Sequence, residues 1–254
     1  AAIEFFYVHK GEIIIDAEKD GLRIREGESF YVRGLRGDLP LKTVRETELI
    51  YVSTIPVFDT EQGFQAELTR LVEQINEKDN YTGKHSRNVM RYAVKLYRPF
   101  KALCPPDGMN ALVVASLFHD VGKCRTPDEI LKKQSRLSPE EYAAIKRHPL
   151  DSADILTEYF DERIAGLALD HHERLNRSGY PRGISGDALT FEARILAVAD
   201  AFDAMTTSRG YNRVKGFAEA AAELQGLPEQ YDSRVTAALM ALVERGEIAL
   251  DARG

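Results

Sequence analysis

Five histidines of this 254-residue chain, His85, His119, His148, His171 and His172, lie within one stretch of fewer than ninety residues. Three of them belong to two adjacent donor pairs. His119-Asp120 follows the apolar run Leu112–Phe118, and His171-His172 follows Ile164–Asp170. A carboxylate, Asp200, ends the apolar run Ile195–Ala199, where it is costly unless paired or bound to a cation. A single histidine beside an apolar face is more often a hydrogen-bonded core residue than a ligand. Adjacent pairs argue differently, because neighbouring residues stand about 100° apart around a helix. Two such donors do not easily serve one tetrahedral ion. They suit two ions a few ångströms apart, with a carboxylate between them. Imidazoles and carboxylates without thiolate favour iron or manganese, with zinc also accommodated. Two ions about 3.5–4 Å apart clamp the attacking and leaving oxygens of a phosphoryl transfer and lower the pKa of a water.

The elements that must hold these groups fall into two regimes, residues 1–58 and 59–254. In the first, Ile3–Val8, Glu12–Asp16, Leu22–Arg25, Ser29–Val32 and Glu48–Ser53 are rich in β-branched and aromatic residues, with glycines between them. Short strands at close spacing predict a small β barrel or sandwich. Its rhythm is similar to that of cupin and cyclic-nucleotide-binding domains, which implies a regulatory or dimerisation module. In the second regime, Phe64, Leu68, Leu71, Val72 and Ile75 repeat at helical spacing, as do Val89, Tyr92, Ala93 and Leu96. Leu112–Phe118, Tyr142–Lys146, Ile155–Tyr159, Ile164–Leu169, Ala193–Met205 and Val235–Val243 continue it, with prolines at their boundaries. The expected fold class is therefore α+β in two domains, a small β barrel or sandwich followed by an all-α domain.

Composition narrows the partners. A net charge of −6 argues against a broad footprint on nucleic-acid polymer, though not against a small anion at a metal site. Two cysteines, Cys104 and Cys124, without a CxxC pair, imply no disulfide and a reducing cytoplasm. No apolar run reaches the ~20 residues of a membrane span. The chain opens on Ala1 without methionine, so it reads as a fragment or a processed form.

An ordered set of short motifs carries a resemblance. They are Tyr81-Thr82-Gly83-Lys84-His85-Ser86, His119-Asp120-Val121-Gly122-Lys123, His148-Pro149, His171-His172-Glu173 through Gly179-Tyr180-Pro181, Ala199-Asp200-Ala201-Phe202-Asp203-Ala204-Met205-Thr206, and Arg209-Gly210-Tyr211. In this order they resemble the HD-GYP subgroup of the HD phosphohydrolase superfamily. The resemblance implies an HD-type helical fold and two divalent metals held by His85, His119, Asp120, His148, His171, His172 and Asp200. Asp120 would bridge them and take part in catalysis with Lys123. It further implies that Lys123 and Arg209 contact substrate phosphate, and that Gly179, Tyr180 and Pro181 line the substrate site and serve protein partners. The implied substrate is c-di-GMP, cleaved to linear pGpG and onward to GMP, by a protein expected to be a homodimer.

Three positions depart from that family's pattern. Tyr81 stands where some members place a third-metal glutamate, so two metals are expected. Asn176-Arg177 replaces the usual Asp-Gly. Gly210-Tyr211-Asn212 replaces Pro-Tyr-Arg, which removes a cation from the phosphate grip. The last two changes motivate the alternative of a catalytically weak nucleotide receptor that signals through protein partners. A third reading, in which metals only staple the helices, needs fewer ligands than this chain offers.

Overall fold

The computed structural model describes residues 3–15, 21–33, 39, 41–53, 80–133, 135–207 and 214–248. Contacts divide the chain into two units, Ala1–Gln74 and Ile75–Gly254. The expected boundary at 58/59 and the amphipathic repeat from Phe64 to Ile75 lie outside the described residues.

The first unit holds two three-stranded antiparallel sheets. In one, β1 (Ile3–Lys10) lies between β4 (Ser29–Arg33) and β6 (Glu48–Ser53); in the other, β2 (Glu12–Ile15) lies between β3 (Leu22–Arg25) and β5 (Leu41–Thr43). Phe6 faces Phe30 on one neighbour and Tyr51 on the other, with ring centroids 4.6 and 4.9 Å away. Such directly opposed aromatic pairs fix the register of a sheet. Val8, Ile13 and Ile24, with Ile15 and Phe30 against them, form a core fed by both sheets, as a small sandwich requires. The strand β5 was not expected. Its three residues are all exposed and carry no alternation from which a strand is read.

The second unit is helical. Its elements are α1 (Asn80–Tyr97), α2 (Gly108–Phe118), α3 (Asp128–Leu131), α4 (Pro139–Ile145), α5 (His148–Thr157), α6 (Glu162–Asp170), α7 (Phe191–Thr206), α8 (Phe217–Gln225) and α9 (Ser233–Glu244). The expected α1 face, Val89, Tyr92, Ala93 and Leu96, is buried throughout. The helix α7 is central, buried almost continuously from Ala193 to Asp203, with Phe202 meeting Tyr92 of α1 edge-on at 5.2 Å. An alanine-rich segment, α8, escaped the sequence reading because alanine weakly marks an apolar face, although Ala220, Ala221 and Leu224 are buried. No helix among the described residues is long and apolar enough to cross a membrane.

Candidate metal centre

Three helices deliver histidines to the site by one device. His119 and His171 follow the ends of α2 and α6, and His148 lies three residues beyond the last residue of α4. Each Nδ1 donates to the carbonyl three residues back: Ser116 at 2.8 Å, Ile145 at 2.7 Å and Ala168 at 2.6 Å. The last carbonyls of a helix lack intrahelical partners, so the imidazole supplies the missing donor. A carbonyl only accepts, so the proton of each neutral ring is placed on Nδ1 and the lone pair of Nε2 points into the site. The C-termini of α2 and α6 also bring their negative ends toward one place, which favours a cation there, whereas His148 opens α5.

Of the remaining donors, Asp120 and His172 share the turns of His119 and His171, whereas His85 and Asp200 come from within helices. In the second turn of α1, His85 donates from Nδ1 to Asp203 Oδ2 at 2.6 Å. Asp203 is fully buried on α7 and also accepts from Asn88 at 2.9 Å and Thr207 at 3.1 Å. Asp200 sits one turn earlier on α7, with Oδ1 3.2 Å from His85 Nε2 and Oδ2 3.5 Å from His172 Nδ1.

These atoms form two clusters. One comprises His85, His119 and Asp120, the other His148, His171 and His172. Asp120 spans both: Oδ2 lies 3.5 Å from His119 Nε2, and Oδ1 lies 3.2 Å from His148 Nε2 and 3.9 Å from His171 Nε2. In the second cluster, the Nε2 atoms of His148 and His171 stand 3.2 Å apart. Both have their proton on the other nitrogen. Asp120 Oδ1 is buried and has no hydrogen-bond donor. Three lone-pair atoms thus converge with no proton to share. A cation removes the repulsion and the desolvation cost of that arrangement. The donor set of imidazole and carboxylate fits a hard-to-borderline divalent ion.

The electrostatics agree. Burial holds His171 well below its ordinary value and His172 at about 3, so both are neutral donors near pH 7. Burial also lowers His119. For Asp120, burial pushes upward, but Lys123 and His119 outweigh it and keep the carboxyl well below the usual range. His85 and His172 do the same for Asp200. For His85, burial works downward, yet Asp200 and Asp203 outweigh it and lift the ring to about 9.

Two glycines let backbone segments approach. A Cβ on Gly122 would lie 2.3 Å from the His148 carbonyl oxygen and 2.4 Å from Ser152 N, so glycine alone allows the turn after Asp120 to dock on α5. Its N–H donates to Ser152 Oγ at 2.8 Å. A Cβ on Gly179 would meet backbone of His172, Glu173 and Arg174 at 2.5 Å. The next residue, Tyr180, places its ring 4.7 Å from that of His172, and burial raises its hydroxyl so that it stays protonated. Pro181 follows through a cis peptide and is half-buried. Lys123 Nζ lies 2.5 Å from Asp120 Oδ2. Arg209, and the departure at Gly210-Tyr211-Asn212, lie outside the described residues, as does the side chain of Tyr81.

The other departure is accommodated. Asn176 Oδ1 accepts from the Ser178 N–H at 3.1 Å and its hydroxyl at 2.6 Å, a turn an aspartate would also make. Arg177 takes φ 65°, the left-handed conformation that glycine adopts freely and that costs other residues roughly 1–2 kcal/mol. Sequence reading missed two supporting carboxylates. One is Asp203, whose signal was its i+3 spacing from Asp200. The other is Glu173, which is buried and accepts from the N–H groups of Arg182, Gly183 and Ile184 at 2.7, 3.1 and 3.3 Å, so it ties down the loop after Tyr180.

Comparison with known proteins places this arrangement. The chain is 35% identical over 165 residues to the 3′3′-cGAMP-specific phosphodiesterase 1 of Vibrio cholerae serotype O1, covering 61% of this chain and 37% of that one. It is 31% identical over 213 residues to a cyclic di-GMP phosphodiesterase of Thermotoga maritima, covering 80% and 56%. A cyclic di-GMP phosphodiesterase of Pseudomonas aeruginosa is 31% identical over 172 residues, with coverage of 67% and 41%. The chain thus spans about two fifths to just over half the length of these curated relatives. Among solved structures, the HDGYP protein Bd1817 of Bdellovibrio bacteriovorus aligns with TM-score 0.54 at 23% identity, over 70% of this chain and 57% of that one, a likeness of fold. The family model described as HD domain matches residues 70–235, which include every donor of both clusters, and the chain therefore belongs to the HD domain family.

Proposed function

We propose that this chain is a metal-dependent phosphodiesterase that hydrolyses c-di-GMP to linear pGpG and onward to GMP. The observation that carries this reading is the convergence of His148 Nε2, His171 Nε2 and the donor-less Asp120 Oδ1 beside a second cluster that shares the same carboxylate. His85, His119, Asp120, His148, His171, His172 and Asp200 would hold two divalent ions, iron or manganese, with Asp120 between them. Such ions supply Lewis acidity toward phosphate oxygens and acidify a coordinated water. The chain's own residues do the rest. The three carbonyl-anchored rings keep their lone pairs aimed without reorganisation, and preorganised charge is what stabilises a developing oxyanion. Lys123, half-buried beside Asp120, supplies a cation to the scissile phosphate. The Tyr180 hydroxyl, held protonated, is a donor at the rim.

The names of relatives support a cyclic dinucleotide, and they include both cyclic di-GMP and 3′3′-cGAMP phosphodiesterases. The receptor alternative drew on Asn176-Arg177 and Asn212. At the first pair Asn176 closes a turn and Arg177 takes a left-handed conformation, which leaves Asn212 as that alternative's main support.

Anaerobically prepared protein, loaded with Mn²⁺ or Fe²⁺, tests the reading by metal analysis and chromatography of products from c-di-GMP and 3′3′-cGAMP. Wild type is expected to carry two ions per chain and to form pGpG, and Asp120→Ala to lose both the metal stoichiometry and turnover. Tight nucleotide binding without turnover in either metal would establish the receptor instead. Full activity in the Asp120→Ala protein would overturn the site.

A further inference from the structure

We infer that Lys146, set between the rings of Tyr142 and Tyr180, is a second anion contact that selects substrates carrying a phosphate and a base beyond the bond being cleaved. This rests on the phosphodiesterase reading and adds a specificity-determining residue to it. Lys146 Nζ lies 4.7 Å from the Tyr142 ring centroid and 4.9 Å from that of Tyr180. Lys133 is paired with Glu141, Arg147 with Asp151 and Arg182 with Asp170, and Arg174 donates to the carbonyls of His171 and Glu173. Among the described residues, Lys146 has aromatic faces only. Such contact is worth about 0.5–1 kcal/mol at an exposed site, too little to satisfy an ammonium and compatible with an added anion.

Placement gives the contact its meaning. Tyr142 and Lys146 are four residues apart at the end of α4, so they share a face, and His148 follows two residues later. Tyr180 continues the row to His172, which lines the second cluster. Lys123 belongs with the other cluster through Asp120 Oδ2. One cation is thus tied to the first cluster through Asp120 and the other, through Tyr180 and His172, to the second. A cyclic dinucleotide has two phosphates, so one can lie at Lys123 and the metals while the other meets Lys146. Tyr142 is 51% exposed, large for an aromatic ring, and offers a base a stacking surface worth about 1–3 kcal/mol.

The test compares wild type with Lys146→Met, Lys146→Arg and Tyr142→Leu, all Mn²⁺-loaded. Substrates are c-di-GMP and bis(p-nitrophenyl) phosphate, a diester with no second phosphate. Lys146→Met is expected to raise KM and Kd for c-di-GMP about tenfold with kcat within about twofold, the size of one charge-assisted contact. Its kcat/KM ratio between c-di-GMP and the small diester should fall by a similar factor, and Lys146→Arg should recover most of it. Tyr142→Leu should weaken c-di-GMP binding in the same direction. Equal losses on both substrates, or an unchanged Kd for c-di-GMP in Lys146→Met, would overturn the inference while leaving the phosphodiesterase intact. Wild type that cleaves neither substrate would overturn the phosphodiesterase reading. The Kd comparison then decides the role of Lys146 alone.

Discussion

At the scale of single residues, the centre depends on where protons sit. His119, His148 and His171 have theirs fixed by helix-terminal carbonyls, whereas His85 depends on one carboxylate, Asp203. Replacing Asp203 with asparagine keeps the shape but removes the charge and places an amide where an acceptor stood. Loss of such an outer partner typically costs 10–100-fold in metal affinity. Asp203→Asn is therefore expected to weaken the ion bound by His85, His119 and Asp120 by that factor, leaving the ion at His148 and His171 near wild-type affinity. Competition titration with a chromophoric chelator measures both, and two unchanged affinities would refute the orienting role. The donors themselves were legible in the sequence, because adjacent histidine and carboxylate pairs at the ends of apolar runs have few structural uses. Asp203 was not. Its i+3 spacing from Asp200 does not by itself show a role, and its meaning comes from His85, 118 positions away.

At the scale of elements, helix ends do the positioning, so their caps and docking contacts matter more than helix propensity. The run α2, Asp120 and the turn on α5 depends on Gly122, a position whose motif was legible but whose steric reason was not. Similarly, the apolar periods announced most helices, while α8 and β5 were silent because alanine and exposed residues carry little pattern. Asp232 illustrates a cap that fixes an element at a distance from the site. It begins α9, accepts from Arg234 N at 3.0 Å, and pairs with Arg194 of α7 at 3.0 Å and Arg234 at 2.6 Å. Burial pushes its carboxyl upward, but those partners bring it down to about 2 from the model-compound value of 3.8. A depressed folded pKa contributes stability above the unfolded value and loses it as pH falls through the folded value. Asp232→Asn keeps the capping oxygen and loses the charge. It should be less stable than wild type by about 1–2 kcal/mol at pH 7 in urea unfolding, a charge-assisted bond's worth. The gap should narrow as pH falls from about 4 toward 2. A gap that stays constant over that window would exclude the charge as its cause.

At the scale of the molecule, the helical unit brings together the C-terminal ends of α2 and α6, five imidazoles and two carboxylates, and buries nearly all of them. Without a cation this arrangement opposes folding, since like lone pairs face one another at 3.2 Å and a carboxylate oxygen lacks a donor. The rest of the unit must hold it, through the α7 core and the packing of α1 against it. A divalent ion that binds only the folded chain should therefore stabilise it by mass action, about 2.7 kcal/mol at one hundred times its dissociation constant. For a domain of this size that corresponds to a rise of roughly 5–10 °C in the melting temperature of the helical signal. Followed by circular dichroism at 222 nm, chelator-treated wild type should melt lower than Mn²⁺-saturated wild type by that interval. Asp120→Ala should show little metal-dependent shift, because its loss removes a buried carboxylate that reaches donors of both clusters. Coincident melting curves for chelated and Mn²⁺-saturated wild type would mean that the converged donors are tolerated without a metal. The clusters would then have to be read as a buried hydrogen-bond network rather than a metal centre.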